Sequence, residues 1–448
     1  MVFCVIYVVW DGPLVGTLIS KPDYGYSVLL GMLCLFLALL ILYKSRSFPP
    51  SIVIFLVFLV APFIGPFGDQ IYEKIHGLFH GVGLDFAYPT FVWTVGTTAF
   101  LVGVCTAHYL IPTPIGNDLV KWNSQRAIIL VWGAFGVALF FTLYALLKIG
   151  FIPVLSYSLA EARAGFEAIV GDYPLKLSRL WVIVASLAGM VAFLKTRRML
   201  YLSLVFISCL ASMVYGQRIY LFMILVSFVL MYLKFFRPRL TYLVPSGLAL
   251  VVLLILYSEF RAGHSTSQLS VVEVTTLQLL GEWREYSLIV NDLKKSGEFY
   301  KEDIFIGALA PLFPKQIWAA FGIDKTRLIH DKSAVFVFGR MLDNPILGIR
   351  LGTIGEAYAG YGLFYGVCLQ LFLFGVIVGL LEKVYLKLKK EDARLCLVCF
   401  LIALMIYLPL TTLYVTTASA VFFGFFFVVF CAWGSFRVRQ SGEVARAY

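Results

Sequence analysis

The sequence predicts an all-α, polytopic membrane protein with about twelve transmembrane helices and one long segment outside the membrane. Three observations lead to this fold class. The chain has 448 residues, of which 61% are hydrophobic and only 14% are charged, whereas soluble domains average about 25% charged residues. Apolar runs of about twenty residues, the length that crosses a bilayer core, recur along the chain. Residues 259–350 interrupt these runs with eleven basic and eleven acidic residues.

The apolar runs divide the chain into three regions. Residues 1–258 predict a transmembrane bundle of about nine spans. Residues 259–350 form the long outward loop, and residues 351–448 contain three further spans and a cytoplasmic tail. The first run is broken by Asp11-Gly12-Pro13, and without it the count is eleven and the N-terminus lies outside. The predicted spans are Met1–Ser20, Tyr24–Tyr43, Ser51–Phe67, Thr90–Ile111, Ala127–Ile152, Leu177–Leu194, Met199–Tyr215, Arg218–Phe236, Thr241–Ser258, Gly352–Leu381, Leu395–Pro409 and Val415–Phe436.

The charges of the connecting segments predict which way the chain is oriented. One set of segments, which includes Lys44, Lys195–Arg198 and the C-terminal tail, has eighteen basic and five acidic residues, a net charge of +13. The other set has eighteen basic and twenty acidic residues, a net charge of −2. Basic segments remain in the cytoplasm, so the first set is cytoplasmic and the long loop faces outward. The overall charge of +11 is therefore an orientation signal and does not indicate a nucleic-acid partner.

The long loop contains two stretches with their own structural character. Val271–Lys295 has apolar residues at loosely helical spacing with charges between them, which predicts an amphipathic helix. Ile304–Phe321 is apolar and aromatic but is interrupted by Pro311 and Pro314. Because this second stretch is too short and kinked to span, we expect it to be re-entrant or to lie on the membrane surface.

Arginines in the outward segments predict an anion-binding site. An ionisable group at the membrane edge is costly unless it is paired or hydrated, and it suggests a function. The guanidinium group stays charged and can bind phosphate through two parallel hydrogen bonds, so a lipid pyrophosphate is the natural ligand. The alternative is a purely structural role, in which each arginine pairs with a carboxylate and connects the loop to the bundle. The predicted binding residues are Arg163, Arg218, Arg261, Arg284, Arg340 and Arg350.

Four residues on or beside the loop are candidates for a catalytic base. A carboxylate or an imidazole can accept a proton from an acceptor hydroxyl if it comes within hydrogen-bond reach. The sequence leaves open which of them acts, and each alone can equally be a satisfied structural residue. No paired carboxylates or nucleotide-binding motif suggests a metal site or a cofactor, so none is predicted. The candidates are Glu282, Glu356, His264 and His330.

The layout and one motif resemble the Wzy-type O-antigen polymerases, which join oligosaccharide repeat units. Gly216-Gln217-Arg218 leads into a helix upstream of the loop, and the stretch Gly348–Val367 leads from the end of the loop into the next helix. That stretch is similar to the family's Gly-Glu-x-Tyr-x-x-x-Gly pattern, carried here by Gly355, Glu356, Tyr358 and Gly362. The resemblance in pattern extends over roughly the last half of the chain. The first half matches only as a series of spans.

The resemblance implies a metal-independent glycosyltransferase of lipopolysaccharide biosynthesis in the bacterial inner membrane, with its active face toward the periplasm. A glycan on undecaprenyl pyrophosphate would be transferred to a new lipid-linked repeat unit, and Tyr358 would join the arginines in the substrate site. The implied partners are the lipid-linked glycan, the bilayer, a chain-length regulator and a flippase.

Three other functions are compatible with the sequence. An O-antigen ligase would share the layout and the donor but transfer the glycan to a lipid A core. A flippase or solute transporter predicts charged residues at mid-span, and the span centres here are nearly free of charge. A scaffold protein for polysaccharide export would need no catalytic residue.

Overall fold

The structure is a computed structural model, and it describes residues 22–45, 49–59, 86–113, 119–122, 124–150, 172–214, 218–236, 283–301, 351–407 and 435–438. These residues form helices joined by turns and one two-stranded sheet. The chain forms two compact units. The first contains Met1–Pro112, Leu269–Lys383 and Leu404–Val421, and the second contains Thr113–Gln268, Val384–Ala403 and Phe422–Tyr448.

The described elements follow the apolar runs of the sequence. The first unit begins with α1 (Pro22–Ser45), α2 (Pro50–Leu59) and α3 (Ala87–Tyr109). The remaining elements, in chain order, are β1 (Leu119–Trp122), α4 (Ser124–Ile149), α5 (Asp172–Thr196), α6 (Met199–Val214), α7 (Arg218–Phe236), α8 (Trp283–Ser296), α9 (Gly352–Tyr361), a π-helical segment (Gly362–Gln370), α10 (Leu371–Lys387), α11 (Arg394–Tyr407) and β2 (Ser435–Val438).

Three helical stretches among the described residues are long and apolar enough to cross a membrane. They are Ala87–Tyr109, Ile128–Ile149 and the continuous stretch Gly352–Lys387. Shorter apolar helices accompany them, among them α2 and α11. The protein is therefore helical with the character of a membrane protein, and the count of twelve spans stays a prediction.

In the first unit, α3 is the central helix, and three of its buried hydroxyl groups donate within the helix. Thr94, Thr97 and Thr98 each donate to the carbonyl four residues earlier, at 2.8 to 2.9 Å. This internal bonding satisfies the hydroxyl groups of these three threonines on an apolar, buried helix.

The contacts of α3 define the two ends of the first unit. At one end Lys44 lies over the ring of Tyr109, so the C-terminal ends of α1 and α3 are together. At the other end the loop helix α8 packs against the first turns of α3, where Tyr286 donates to the Pro89 carbonyl at 2.9 Å. We call these the basic end and the loop end. The parallel directions of α1 and α3 agree with the alternation that the predicted spans require.

Buried charges hold three helix termini together at the basic end. The backbone N–H of Ser51, in the first turn of α2, donates to the Glu382 carboxylate at 3.1 Å. His108 Nε2 lies 2.9 Å from the same carboxylate, without the alignment of a hydrogen bond. Lys383 donates to the carbonyl of Ala107, in the last turn of α3, and to that of Ile111, just beyond it. An anion at a helix N-terminus and a cation at a C-terminus both complement the helix dipole.

Glycines bring α3 and α10 into backbone contact. A Cβ atom on Gly375 would lie 2.9 Å from the carbonyl carbon of Phe100, and one on Gly103 would lie 2.9 Å from the backbone nitrogen of Val376. Only a residue without a side chain fits at either position. Small residues at such contacts allow the close helix approach that stabilises bundles in lipid.

The helix after the loop is not one continuous α-helix as predicted for Gly352–Leu381, and it extends to Lys387. The α-helical hydrogen bonding ends at Tyr361, and Gly362 has a φ angle of +74°. A π-helical segment follows before α10 begins. Hydropathy predicts the length of an apolar run, but it does not register a change of backbone hydrogen bonding inside that run.

The second unit contains the small sheet, which the all-α prediction did not include. Strand β1 pairs antiparallel with β2, and Val120 faces Arg437. The predicted last span ended at Phe436, and this end is wrong because Ser435 and Phe436 belong to β2.

Helices α4, α5 and α6 pack together in the second unit. Their shared core contains Val131 of α4, Ala188 and Ala192 of α5, and Tyr201 and Leu204 of α6. The small residues of α5 leave room for the larger side chains of its neighbours. The opposite side of α4 is apolar and exposed, as in Phe140 and Leu147, which suits a helix that faces lipid.

Candidate functional site

Of the predicted outward loop, the structure describes helix α8 and the residues that follow it as far as Lys301. Helix α8 is strongly amphipathic, and its apolar face covers the loop end of the first unit. The rings of Trp283 and Tyr286 pack against Trp93 with centroids 5.3 and 5.4 Å apart. Both side chains are buried, so α8 is fixed to α3 by aromatic contacts and the Tyr286–Pro89 hydrogen bond.

The Tyr286 hydroxyl group stays protonated and donates a hydrogen bond at all physiological pH values. Burial raises the pKa of this phenol well above its ordinary value, and the neighbouring Tyr358 and Tyr88 raise it further. Burial disfavours the charged phenolate, so the group stays protonated. The bond from α8 to α3 therefore persists throughout the physiological pH range.

Two tyrosines, an exposed lysine and an aspartate connect four helices at the loop end. The hydroxyl oxygens of Tyr88, on α3, and Tyr358, on α9, are 3.2 Å apart. The Lys294 ammonium of α8 lies 3.6 Å from the centre of the Tyr88 ring and 3.7 Å from the Asp23 carboxylate at the start of α1. The lysine is about half exposed, so this contact with the ring and the carboxylate is open to solvent on one side.

The chain that follows α8 binds the broken end of α9. The break at Gly362 leaves the carbonyls of Ala359 and Gly360 without their usual helical partners. The backbone N–H groups of Tyr300 and Lys301 donate to them at 2.9 and 2.8 Å. Residues beyond α8 and the first residues after the loop are therefore joined directly by backbone hydrogen bonds.

The motif Gly355-Glu356-x-Tyr358-x-x-x-Gly362 has a physical account in this fold. A Cβ atom on Gly355 would lie 2.8 Å from the Tyr286 ring, so the glycine makes room for α8. Tyr358 is bonded to Tyr88, and Gly362 combines the positive φ angle with close contact to Phe299. The remaining motif residue is Glu356, a carboxylate with only 5% of its surface exposed.

The structure brings some of the predicted site residues to the loop end. Glu356 and Tyr358 lie two residues apart on α9, and Arg284 is the second residue of α8, which packs on α9. Arg218 is the first residue of α7, in the second unit. The other predicted residues lie outside the described ranges: Glu282, His264, His330, Arg163, Arg261, Arg340 and Arg350.

The sequence reasoning did not single out Tyr88, Tyr286, Lys294 or Asp23. Lys294 was one of two lysines at the end of the amphipathic stretch, and helical spacing does not show which ring a lysine will contact. Tyr88 precedes a proline just before a predicted span, where an aromatic residue is common at a membrane interface. Among the described residues, no group of three His, Cys, Asp or Glu side chains is placed to hold a metal ion.

Comparison with protein-family models, with characterised proteins and with solved structures finds no match to this chain.

Proposed function

We propose that this protein is a membrane-embedded glycosyltransferase that polymerises oligosaccharide repeat units carried on undecaprenyl pyrophosphate. The reaction would take place at the loop end of the first unit, on the periplasmic side of a bacterial inner membrane. The observation that carries the proposal is the position of Glu356. It is a buried carboxylate in the first turns of the helix after the loop, beneath the helix that covers that end.

The motif residues around Glu356 support this proposal. Gly355, Tyr358 and Gly362 each serve packing or backbone geometry, and together they hold Glu356 on a short helix braced by α3 and α8. A rigid frame of this kind suits a catalytic base, which must be held in one geometry relative to its substrate. Burial also suits the role because an electrostatic interaction is stronger where water is excluded.

In the proposed reaction Glu356 accepts the proton of the acceptor hydroxyl. That hydroxyl oxygen forms a bond to the anomeric carbon of the donor glycan, and the bond from this carbon to the pyrophosphate oxygen breaks. Undecaprenyl pyrophosphate leaves with the bonding electrons. Arg284 and the predicted Arg340 and Arg350, which belong to the same unit as Glu356, would neutralise this charge. Glu282, His264 and His330 stay as alternative bases.

The test is an assay with purified protein and one defined lipid-linked repeat unit, in the presence and absence of EDTA. The proposal predicts a ladder of products at multiples of the repeat unit, formed equally with EDTA. A protein that inserts normally and yields no product under either condition would contradict it. Product that requires a divalent metal would contradict the metal-independent mechanism.

The same assay separates polymerase from O-antigen ligase. A ligase uses the same donor but transfers the glycan to a lipid A core. In a reaction that contains both acceptors, we expect extension of the lipid-linked unit and no glycan on the lipid A core. Transfer to the lipid A core alone would assign the ligase function.

A further inference from the structure

Three turns of the second unit come together into one cationic surface. They are the turn from α5 to α6, the end of α7 and the turn after α10. Lys234 of α7 donates to the carbonyls of Tyr385 and Leu386 at 3.0 and 2.9 Å. Lys195 interacts electrostatically with Glu391 in the turn after α10. The basic residues of these turns are therefore neighbours in space, although almost two hundred residues separate the first from the last.

Cations predominate on this surface. Exposed lysines and arginines come from the turn after α5 and from the turn after α10, and Glu391 is the exposed carboxylate beside them. The other acidic residue of the turn after α10, Asp392, is buried and bonded to Arg394 at 2.7 and 3.0 Å. The exposed cations are Lys195, Arg197, Arg198, Lys387, Lys389 and Lys390.

The backbone of Arg197 has an unusual conformation. The orientation of the chain in a membrane does not require it. The φ angle of Arg197 is +59°, the left-handed conformation that closes α5 through a 2.7 Å hydrogen bond from its N–H to the Phe193 carbonyl. Glycine usually occupies this position because any other residue is strained there by about 1 kcal/mol. A strained residue at such a position suggests that its side chain has a function.

The side chain of Arg197 is preorganised to bind an anion. The guanidinium carbon lies 4.0 Å from the centre of the Phe236 ring, at the end of α7. Stacking uses the face of the planar group and leaves the N–H groups at its edge free to bind two oxygens of a phosphate. Among the described residues, no carboxylate lies within ion-pair distance of Arg197 or Arg198.

We propose that this surface binds the head group of an acidic phospholipid in the adjoining leaflet. The ligand chemistry is a phosphate diester that carries a net negative charge at the level of the helix ends. Basic groups between helices on the cytoplasmic side favour such head groups, and each cation near the membrane surface contributes measurably. A diffuse excess of positive charge would orient the chain equally well without a stacked arginine at a strained position.

Native mass spectrometry of the purified full-length protein tests the proposal, with cardiolipin as the probe and phosphatidylcholine as the zwitterionic comparison. Arg197→Gly removes the guanidinium and also relieves the backbone strain. We therefore expect cardiolipin to bind about fivefold more weakly, while the melting temperature stays the same or rises. A merely structural arginine would lower the melting temperature and leave lipid binding unchanged, which would overturn the proposal.

Two further variants control for charge alone. Lys121→Ala removes an exposed cation of the second unit that belongs to strand β1, and it should keep the cardiolipin affinity of the wild type. An equal loss in K121A and R197G would indicate diffuse attraction and contradict a defined site. The double variant Lys389→Gln, Lys390→Gln approaches the surface from the other turn and should also weaken binding. Equal affinity for phosphatidylcholine and cardiolipin would likewise refute the proposal.

Discussion

Replacing Gly375 by alanine should destabilise the first unit strongly, because this glycine lies against the backbone of α3. The new Cβ atom would lie 2.9 Å from the carbonyl carbon of Phe100 and 3.1 Å from its Cα atom. The Phe100 carbonyl oxygen would be nearer still, and ordinary contact begins near 3.4 Å, so the helices must separate by more than the 0.5 Å that the carbonyl carbon alone requires. A backbone cannot rotate away as a side chain can, and Gly103 meets α10 in the same way from the other helix.

We expect Gly375→Ala to cost about 3 kcal/mol, the upper range for overpacking of a rigid contact. The assay is reversible unfolding in detergent, followed by circular dichroism or steric trapping. Gly136→Ala on α4 is the matched control because a Cβ atom there meets no atom within 4 Å. The control should be unchanged or more stable by up to about 1 kcal/mol, the helix preference for alanine over glycine. Equal stability of G375A and G136A would refute the described packing of α3 on α10.

Three further predictions concern single contacts. Tyr88→Phe removes the hydroxyl bonded to Tyr358 and should cost about 1 kcal/mol in thermal unfolding; an unchanged melting temperature would argue against that bond. Glu382→Leu removes the acceptor of the Ser51 N–H and the carboxylate beside the buried His108 imidazole, and it should cost about 3 kcal/mol or more; wild-type stability would contradict the buried cluster. Val120→Cys with Arg437→Cys should form a disulfide on mild oxidation, seen as a mobility shift that neither single variant shows, and its absence would contradict the pairing of β1 with β2.

Hydropathy predicted helices well where an apolar run is also a structural unit. The predicted span Arg218–Phe236 coincides with α7, and Thr90–Ile111 differs from α3 by two or three residues at each end. Both runs are bounded by polar or turn residues, so composition marks their limits. The amphipathic stretch before Lys295 was also recognised as helical, and the structure describes its last part as α8.

The features that the sequence did not predict depend on contacts between distant residues. Strands β1 and β2 have four residues each and pair across more than three hundred positions, so neither has a pattern of its own. The break after Tyr361 depends on Tyr300 and Lys301, which replace the missing helical hydrogen bonds. Similarly, the role of Tyr88 follows from the approach of α8 and α9 to one end of α3, which periodicity within a helix cannot show.

The candidate site was predicted in part for the same reason. Glu356 and Tyr358 belong to a local motif that can be recognised within eight residues. The residues that hold them, Tyr286 and Tyr88, come from other parts of the chain and fit the motif only through Gly355 and the hydroxyl pair. A short motif can therefore be recognised in the sequence more readily than the frame that holds it.

The most direct test of the proposed function compares the wild type with Glu356→Gln in the defined polymerisation assay, with binding of the lipid-linked repeat unit measured in the same samples. Glutamine has nearly the same shape but cannot accept the proton. We expect unchanged substrate binding and a rate of polymerisation at least about a hundredfold lower, the usual contribution of a general base. A normal product ladder from a correctly folded E356Q protein would contradict it.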